Sequence, residues 1–443
     1  MPPQDSALTM LSLVWFTRDL RVQDHPALSL AAAGGRVLPV WIADPAEWAR
    51  PEVSARHWGF LDDCLRGLRA DLAELGQPLI LRTGDPVEVL TRLQAKHGFL
   101  RLITHQETGS AWARARQQRV ADWARGAGVE WVALAQDDGP VLPAPSLPMV
   151  VEGTGALPGL KSLGLAEDRC PYRQPGGRAA GVQLLESYLS VRGQGYSPAT
   201  ATALGAERAG SRLSPYLAYG VLSPREVQAA VAEARKRWRG NSDWSGALRA
   251  LAAQLRARAQ AQDALPLMPP GDTPATGPWA DGQTGLPFID AAMRALTATG
   301  WLDARSRALI AAVGVHHLAL SPAAVGLHLS RLCTDYDPAI HWRALQSVAL
   351  GRIPDPVAMG QRLDPQGAFI RRWVPELARV PDAHLHAPWL WPRARKLLAG
   401  RYPEPVLDPA SAGRAARAER PPAPRPPVTP RKRAPKGQMA LDL

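Results

Sequence analysis

A mostly parallel α/β domain followed by a large all-helical domain is the fold class this sequence predicts, and three observations carry the expectation. Five short apolar runs, rich in β-branched and aromatic residues, alternate with amphipathic stretches across residues 1–135. A Pro- and Gly-rich stretch with no hydrophobic period follows over residues 136–181. From about Val182 the strand signals stop, and Ala/Leu/Arg-rich runs at helical spacing continue to about Leu398. Strands alternating with helices imply a doubly wound parallel sheet, because a parallel crossover needs a covering helix.

The apolar runs are Leu11–Thr17, Arg36–Ile42, Pro78–Arg82, Leu100–Thr104 and Val129–Leu134, each read as a strand. After Arg56, Trp58, Leu61, Leu65, Leu68, Leu72 and Leu75 recur on one helical face. Pro86–His97 and Ser110–Gly126 read as two further helices. Residues 136–181 read as an inter-domain connection. Residues 182–405 should form the helical domain, with two marked helix starts. Ser214-Pro215 places a capping hydroxyl before a helix-starting proline, and Ser223-Pro224-Arg225-Glu226 has the layout of a capping box. Residues 406–443 read as a disordered, basic, Pro-rich tail.

Charge is distributed unevenly. The chain has 443 residues and a formal net charge of +12. Residues 1–135 hold 15 basic and 15 acidic side chains, whereas residues 411–443 hold eight basic against two acidic. Half of the excess therefore sits on a short segment that attracts polyanions over long range in low salt. No run reaches the length of a membrane span, and the N-terminus lacks the basic-then-apolar layout of a secretory signal. Cys64, Cys170 and Cys333 are widely spaced, which argues against a disulfide framework, a cysteine metal site or an iron–sulfur cluster. A reducing, cytoplasmic setting is the expectation. No metal site is expected either: His316-His317 lie in an apolar stretch with no acidic partner at helical spacing.

The first region has neither GxGxxG nor GxxxxGK[ST], so neither phosphate-loop reading applies there. Gly210-Ser211-Arg212-Leu213-Ser214-Pro215 is the better anion candidate, with two hydroxyls, an arginine and free backbone N–H groups at a helix start. The same residues would also serve to cap an ordinary helix. Arg305 and Arg307 follow Gly300-Trp301, while Asp335 and Asp337 lie on a helix-breaking Cys-Thr-Asp-Tyr-Asp-Pro segment. Such charges inside an apolar helical domain call for mutual pairing or a ligand.

Several motifs then match a known family. Leu13–Leu28 (LVWFTRDLRVQDHPAL), Ser211–Arg225 (SRLSPYLAYGVLSPR), Trp279–Trp301 (WADGQTGLPFIDAAMRALTATGW), Phe369–Leu377 (FIRRWVPEL) and Ala387-Pro388-Trp389 resemble photolyase/cryptochrome flavoproteins, in family order. Asp335–Trp342 (DYDPAIHW) looks like a bacterial subgroup. The resemblance implies an N-terminal domain that holds an antenna chromophore, a folate or a deazaflavin, and a helical domain that buries FAD. On the family's pattern Ser211, Arg212, Leu213 and Ser214 contact the FAD phosphates with Tyr196 as a companion, and Trp301 lines the pocket. Arg307 pairs with Asp335 beside the isoalloxazine, Tyr336 and Asp337 complete that loop, and His341 faces flavin N5. A histidine there would change charge near neutral pH. Arg258 and Arg305 fall at DNA-contacting positions.

The chain also departs from the family's repair site. Ala257 stands where a lesion-stacking tryptophan is expected, Ala304 and Ala308 replace further lesion contacts, and Leu345 and Pro322 interrupt the family's three-tryptophan chain. The readings are therefore light-driven splitting of cyclobutane pyrimidine dimers in DNA, a cryptochrome-like light or redox sensor, or a non-enzymatic DNA- or clamp-bound protein. Gln438, Met439, Leu441 and Leu443 at the C-terminus resemble the short peptide that docks bacterial repair proteins on the sliding clamp.

Overall fold

Alternation within β1 (Met10–Phe16) sends Leu11, Leu13 and Trp15 to one apolar layer and Val14 and Phe16 to another, as the period of two in a strand requires. In this computed structural model, which describes residues 10–108, 110–135, 139–150, 154–196, 200–262 and 273–419, both layers are covered by helices. β2 (Gly35–Ala43), β3 (Ile80–Thr83), β4 (Arg101–His105) and β5 (Glu130–Leu134) complete a parallel sheet in the order β3-β2-β1-β4-β5. The order reverses between β1 and β4, and that opens a crevice at their carboxyl ends.

Five helices belong to this region: α1 (Pro26–Ala33), α2 (Pro45–Trp48), α3 (Ala55–Glu74), α4 (Pro86–His97) and α5 (Ala111–Gly126). The expected face of α3 is buried from Trp58 to Leu72, against the same layer as Val14 and Phe16. α1 opens on Pro26, and its cap is a histidine rather than a short polar residue: His25 Nδ1 accepts from Leu28 N–H at 2.9 Å.

The described residues between β5 and α6 (Arg178–Ser187) carry no regular structure beyond one turn at Lys161–Leu163, and they are pinned to α3. Arg56 makes a bidentate pair with Asp168 at 2.5 and 2.6 Å. Gly176 lies so close that a Cβ there would sit 2.4 Å from the Phe60 carbonyl oxygen.

The rest is helical: α7 (Ala203–Ala209), α8 (Ser214–Ala218), α9 (Pro224–Arg237), α10 (Ser242–Gln262), α11 (Pro287–Thr299), α12 (Ala304–Ala312), α13 (Pro322–Leu332), α14 (Pro338–Leu350), α15 (Pro356–Leu363), α16 (Ala368–Trp373), α17 (Ala394–Leu398) and α18 (Pro409–Ala418). The α9 capping box forms as expected, with Ser223 and Glu226 bonding each other's backbone N–H. Two expectations need correction. Ser214 does not cap α8: Leu213 is the cap residue and Ser214 opens the helix, freeing its hydroxyl to donate to Asp335. Nor is everything after residue 405 unstructured, since α18 starts on an Asp408 cap and packs over His317, with Arg417 Nη1 donating to Ile353 O at 3.3 Å.

The hydrophobic cores do not divide where the strands end. Val14, Phe16 and Trp41 of the sheet share one core with Tyr188, Tyr216, Leu222 and Trp244, while α11–α17 enclose a second. The loop after β1 docks on the loop before α9. Leu20 N–H and Arg21 Nη1 donate to Tyr219 O (3.2 Å) and Gly220 O (2.9 Å). Arg225 donates to Asp24 at 2.6 and 3.1 Å, and the Ser223 hydroxyl joins the same carboxylate. Gly220 is obligatory: its φ is +62°, and a Cβ would fall 2.1 Å from Arg18 O.

Candidate cofactor site

The two cores leave between them a cavity of about 730 Å³. Segment 210–214, one face of α10, residues 301–308 and α14 line it, so Tyr196, Ser211, Arg212, Leu213, Ser214, Trp301, Arg307, Asp335, Tyr336, Asp337, His341, Arg258 and Arg305 all meet there.

Segment 210–214 is shaped for an anion. Arg192 takes the Gly210 carbonyl at 2.6 Å and the Ser211 carbonyl at 3.5 Å, which occupies these oxygens. Arg212 adopts φ +55° and Leu213 follows at φ −83°, ψ −7°. Left-handed then right-handed residues make a concave nest of N–H groups, and among the described residues no internal acceptor engages the N–H groups of Ser211 to Ser214. The Arg212 guanidinium bonds Gln174 Oε1 at 3.1 and 3.3 Å and lies 4.6 Å over Trp301. Neither Arg192 nor Arg212 has a carboxylate within salt-bridge distance among the described residues, and burial pushes both guanidinium pKa values down. An incoming phosphate would supply the missing negative charge.

Farther in, Arg307 Nη2 reaches both oxygens of Asp335 at 3.1 and 3.2 Å and the Leu302 carbonyl at 3.2 Å. Its Nε is buried with no partner among the described residues. Burial works against the Arg307 charge, but Asp335 outweighs it and holds the group above the ordinary arginine range. Burial would likewise raise Asp335, yet Arg307 and the Ser214 hydroxyl keep its carboxyl below the usual value. The site thus holds a charged pair with a spare donor beside an apolar cavity.

Asp337 caps α14 through Ile340 N–H and takes Arg258 at 2.7 Å and Gln262 at 2.9 Å. Arg258, expected to contact DNA, is bound inside by that pair and by Leu217 O at 3.1 Å; Arg305 is the exposed one of the two. Tyr196 accepts from Gln254 at 3.0 Å, and the Tyr336 hydroxyl accepts from Trp342 Nε1 at 3.1 Å. His341 lines the cavity, but its surroundings do not favour a charge change near neutral pH. Its Nε2–H donates to the Gly326 carbonyl at 2.8 Å, and burial lowers its pKa to about 4, so the ring is neutral near pH 7. Ala257, Ala304, Ala308 and Leu345 all face the cavity, so those departures from the family fall on its wall. Arg192, Gln174 and Gln254 went unnoticed in the sequence because they sit outside every motif and act through backbone carbonyls or amide contacts.

A second cavity of about 360 Å³ opens at the carboxyl ends of β1 and β4 and shares Leu217, Arg258, Tyr336 and Asp337 with the first. Trp15, Trp41 and Trp48 give it aromatic walls, and Arg116 is held there between Glu47 and Glu107 at 2.7 and 2.9 Å. Behind it the Asp19 carboxylate is hydrogen-bonded to His105 Nδ1 at 2.7 Å and lies 3.0 Å from His25 Nε2, the one described group of metal-type ligands. Because His25 Nδ1 already accepts from Leu28, its Nε2 carries the proton and has no lone pair for a metal. His316 donates to Val348 O at 3.0 Å and His317 packs beneath α18, so both act as packing groups. The three cysteines are free, and no helix among the described residues is long and apolar enough to cross a membrane.

Comparison with known proteins follows the same division. Residues 12–142 match the family model for DNA photolyase, and residues 224–420 match that for the FAD binding domain of DNA photolyase. The chain is 30% identical to the deoxyribodipyrimidine photo-lyase of Streptomyces griseus, covering 91% of this chain and 97% of that protein. It is 28% identical to a cryptochrome DASH of Natronomonas pharaonis, over 90% and 98%. The fold is similar to the crystal structure of a Synechocystis cryptochrome (TM-score 0.82, 23% identity, 93% and 99% covered). It is also similar to a class III photolyase of Agrobacterium tumefaciens (TM-score 0.80, 23% identity, 94% and 98% covered).

Proposed function

The chain belongs to the DNA photolyase/cryptochrome family and is a DNA photolyase-like FAD protein, and from that premise we propose that it splits cyclobutane pyrimidine dimers in DNA by light-driven electron transfer. The observation that carries the reading is the cavity's paired chemistry: a nest of N–H groups with unneutralised arginines at one end, and the Arg307–Asp335 pair with its orphaned Nε at the other. That set fits a dinucleotide flavin, which needs an anion cradle and, on reduction, a fixed cation. Segment 211–214 with Arg212 would hold the phosphates, and Trp301 and Tyr196 would close the walls. When bound, FAD supplies light absorption and one-electron chemistry. Arg307 supplies positive charge, Asp335 and Ser214 hold it in place, and Asp337 with Arg258 fixes the start of α14, which carries His341. His341 keeps its proton on Nε2 and presents a neutral ring. Arg305 offers an exposed charge to the DNA backbone, and a dimer would leave the helix stack to enter.

A sensor reading without repair is favoured by one observation: Ala257, Ala304 and Ala308 offer no stacking surface on the wall. An aromatic platform is worth about 1–3 kcal/mol per base, so weak dimer affinity is expected. The test is direct. The purified protein should carry a flavin spectrum, and after reduction and illumination with dimer-bearing DNA it should remove dimers. Flavin and DNA binding without dimer loss would establish the sensor, and a colourless protein that rejects added FAD would defeat both readings. The aromatic second cavity suits an antenna chromophore. Gln438, Met439, Leu441 and Leu443, which lie outside the described residues, suit a sliding-clamp peptide on sequence alone; clamp capture that survives deletion of the last six residues would refute that.

A further inference from the structure

The last carbonyls of α13 have no partner within their own helix, and their donors come from the sheet region. At the start of α3, Ser54 Oγ donates to Arg331 O at 2.7 Å, Arg56 Nη1 to Leu332 O at 3.0 Å and His57 Nε2 to Cys333 O at 2.9 Å. Arg331 Nη1 returns a bond to Pro51 O at 2.8 Å. The chain then turns, and Tyr336 N–H closes the turn on the same Cys333 carbonyl at 3.0 Å. From the loop after β1, Arg18 Nη1 donates to Tyr336 O at 3.1 Å. Asp335 stands inside this turn, with His57 holding the backbone on one side of it and Arg18 on the other.

We propose that Arg18 and His57 are positioning residues for the flavin site: they hold turn 333–336 from outside the first cavity and thereby set Asp335 against Arg307. The proposal rests on FAD occupying that cavity. Both residues line the second cavity, and among the described residues neither lines the first, so they act on the flavin site only through the turn. The His57 donor is permanent. Its Nδ1 accepts from Ser54 N–H at 3.0 Å, so Nε2 carries the proton. Burial lowers the pKa of the ring to about 4, which keeps it neutral near pH 7. Arg18 is steadied by the Tyr219 ring, 5.5 Å from its guanidinium carbon.

The flavin-side pair is sensitive to such a clamp. Arg307 Nη2 meets the two Asp335 oxygens at 3.1 and 3.2 Å, at the long end of the hydrogen-bond range, so a small slip of the turn parts them. An aspartate side chain is short, and its carboxylate follows its backbone. Asp335 in turn fixes the Arg307 charge. A fixed cation favours the reduced, negatively charged flavin over the neutral oxidised one. Loosening the turn therefore weakens binding of reduced FAD more than that of oxidised FAD, whereas a contact that merely supports the fold would weaken both alike.

Full-length wild type and the variants Arg18→Met, His57→Leu and His57→Gln, each titrated with oxidised FAD and, without oxygen, with dithionite-reduced FAD, test this. Arg18→Met and His57→Leu should each weaken reduced FAD relative to oxidised FAD about tenfold, the worth of one lost hydrogen bond, which makes the two-electron midpoint potential about 30 mV more negative. His57→Gln keeps a donor for the Cys333 carbonyl and should keep the wild-type ratio of the two affinities. Arg18→Met gives up one bond at a cavity wall and retains an aliphatic stem, so it is the variant that keeps the fold and decides the matter if His57→Leu does not. A wild-type ratio in Arg18→Met, or equal weakening of both forms of FAD, would overturn the proposal. Wild-type protein that takes up neither form would instead overturn the reading of the cavity.

Discussion

Arg307 and Asp335 show how much one residue pair decides. Each is costly to bury alone, and together they leave one guanidinium donor aimed nowhere. Asp335→Asn should leave Arg307 without its counter-charge, a loss of about 3–5 kcal/mol when a buried pair is broken on one side. Thermal unfolding of the flavin-free protein and FAD titration should both report it; an unchanged melting temperature would show that the pair is dispensable. His341 gives a pH prediction. Its folded-state pKa of about 4 lies below the ordinary 6.5, as do those of His57 and His328. Above 6.5 the rings are neutral in both states and stability does not depend on them. Between 6.5 and about 4 the unfolded chain takes up protons that the folded one refuses, so stability falls as pH falls, and below 4 the loss levels off. His341→Asn keeps a donor for Gly326 O and should flatten that acid decline by on the order of 1–3 kcal/mol. Identical stability against pH in both proteins would sink the assignment. The charged residues were legible at this scale because burying them demands partners. The state of His341 was not, because the carbonyl that fixes its tautomer lies on another helix.

Among elements, the loop after β1 and the start of α9 form the joint that sets the sheet against the helices. Asp24 is at φ +51° and receives Arg225, Ser223 and Leu142 N–H. Asp24→Asn or Arg225→Met alone should cost about 3–5 kcal/mol, while the double variant, which buries no lone charge, should cost less than the sum. Denaturant unfolding of the four proteins measures this, and strict additivity would mean that the pair is not coupled. The strands were readable to within about two residues, because period two and β-branched runs leave few alternatives in a sheet covered on both faces. The capping box of α9 was readable for the same reason: its signal is local. α1 was marked only by Pro26, since its cap is a histidine, and α8 was misread because Ser214 turns toward Asp335, a partner 121 positions away in sequence. α18 did carry a local signal, Asp408-Pro409, but the prolines and arginines around it read as tail.

For the whole molecule, the charge of +12 is a map rather than a sum. The sheet region is neutral, yet its core is continuous with α6 and α8–α10, so the two halves of the chain share one packed core beside the cavity. Residues 420–443 hold six basic side chains and one acidic, and follow the last helix among the described residues. Any contribution they make to DNA binding should therefore be electrostatic and separable from the flavin site. Removing residues 420–443 should lower the slope of log affinity against log salt by roughly one for each phosphate they neutralise, and leave the flavin spectrum and melting temperature alone. Cutting at residue 405 differs physically, because it also strips α18 from His317 and Ile353 and exposes the apolar groups beneath, so the melting temperature should fall as well. Fluorescence anisotropy with labelled duplex at several salt concentrations, alongside thermal unfolding of both truncations, separates the effects. A shorter chain ending at 419 that keeps the full salt slope would place the DNA-binding charge on the folded body, around Arg305 and the cavity mouth, and leave residues 420–443 without an electrostatic part in binding.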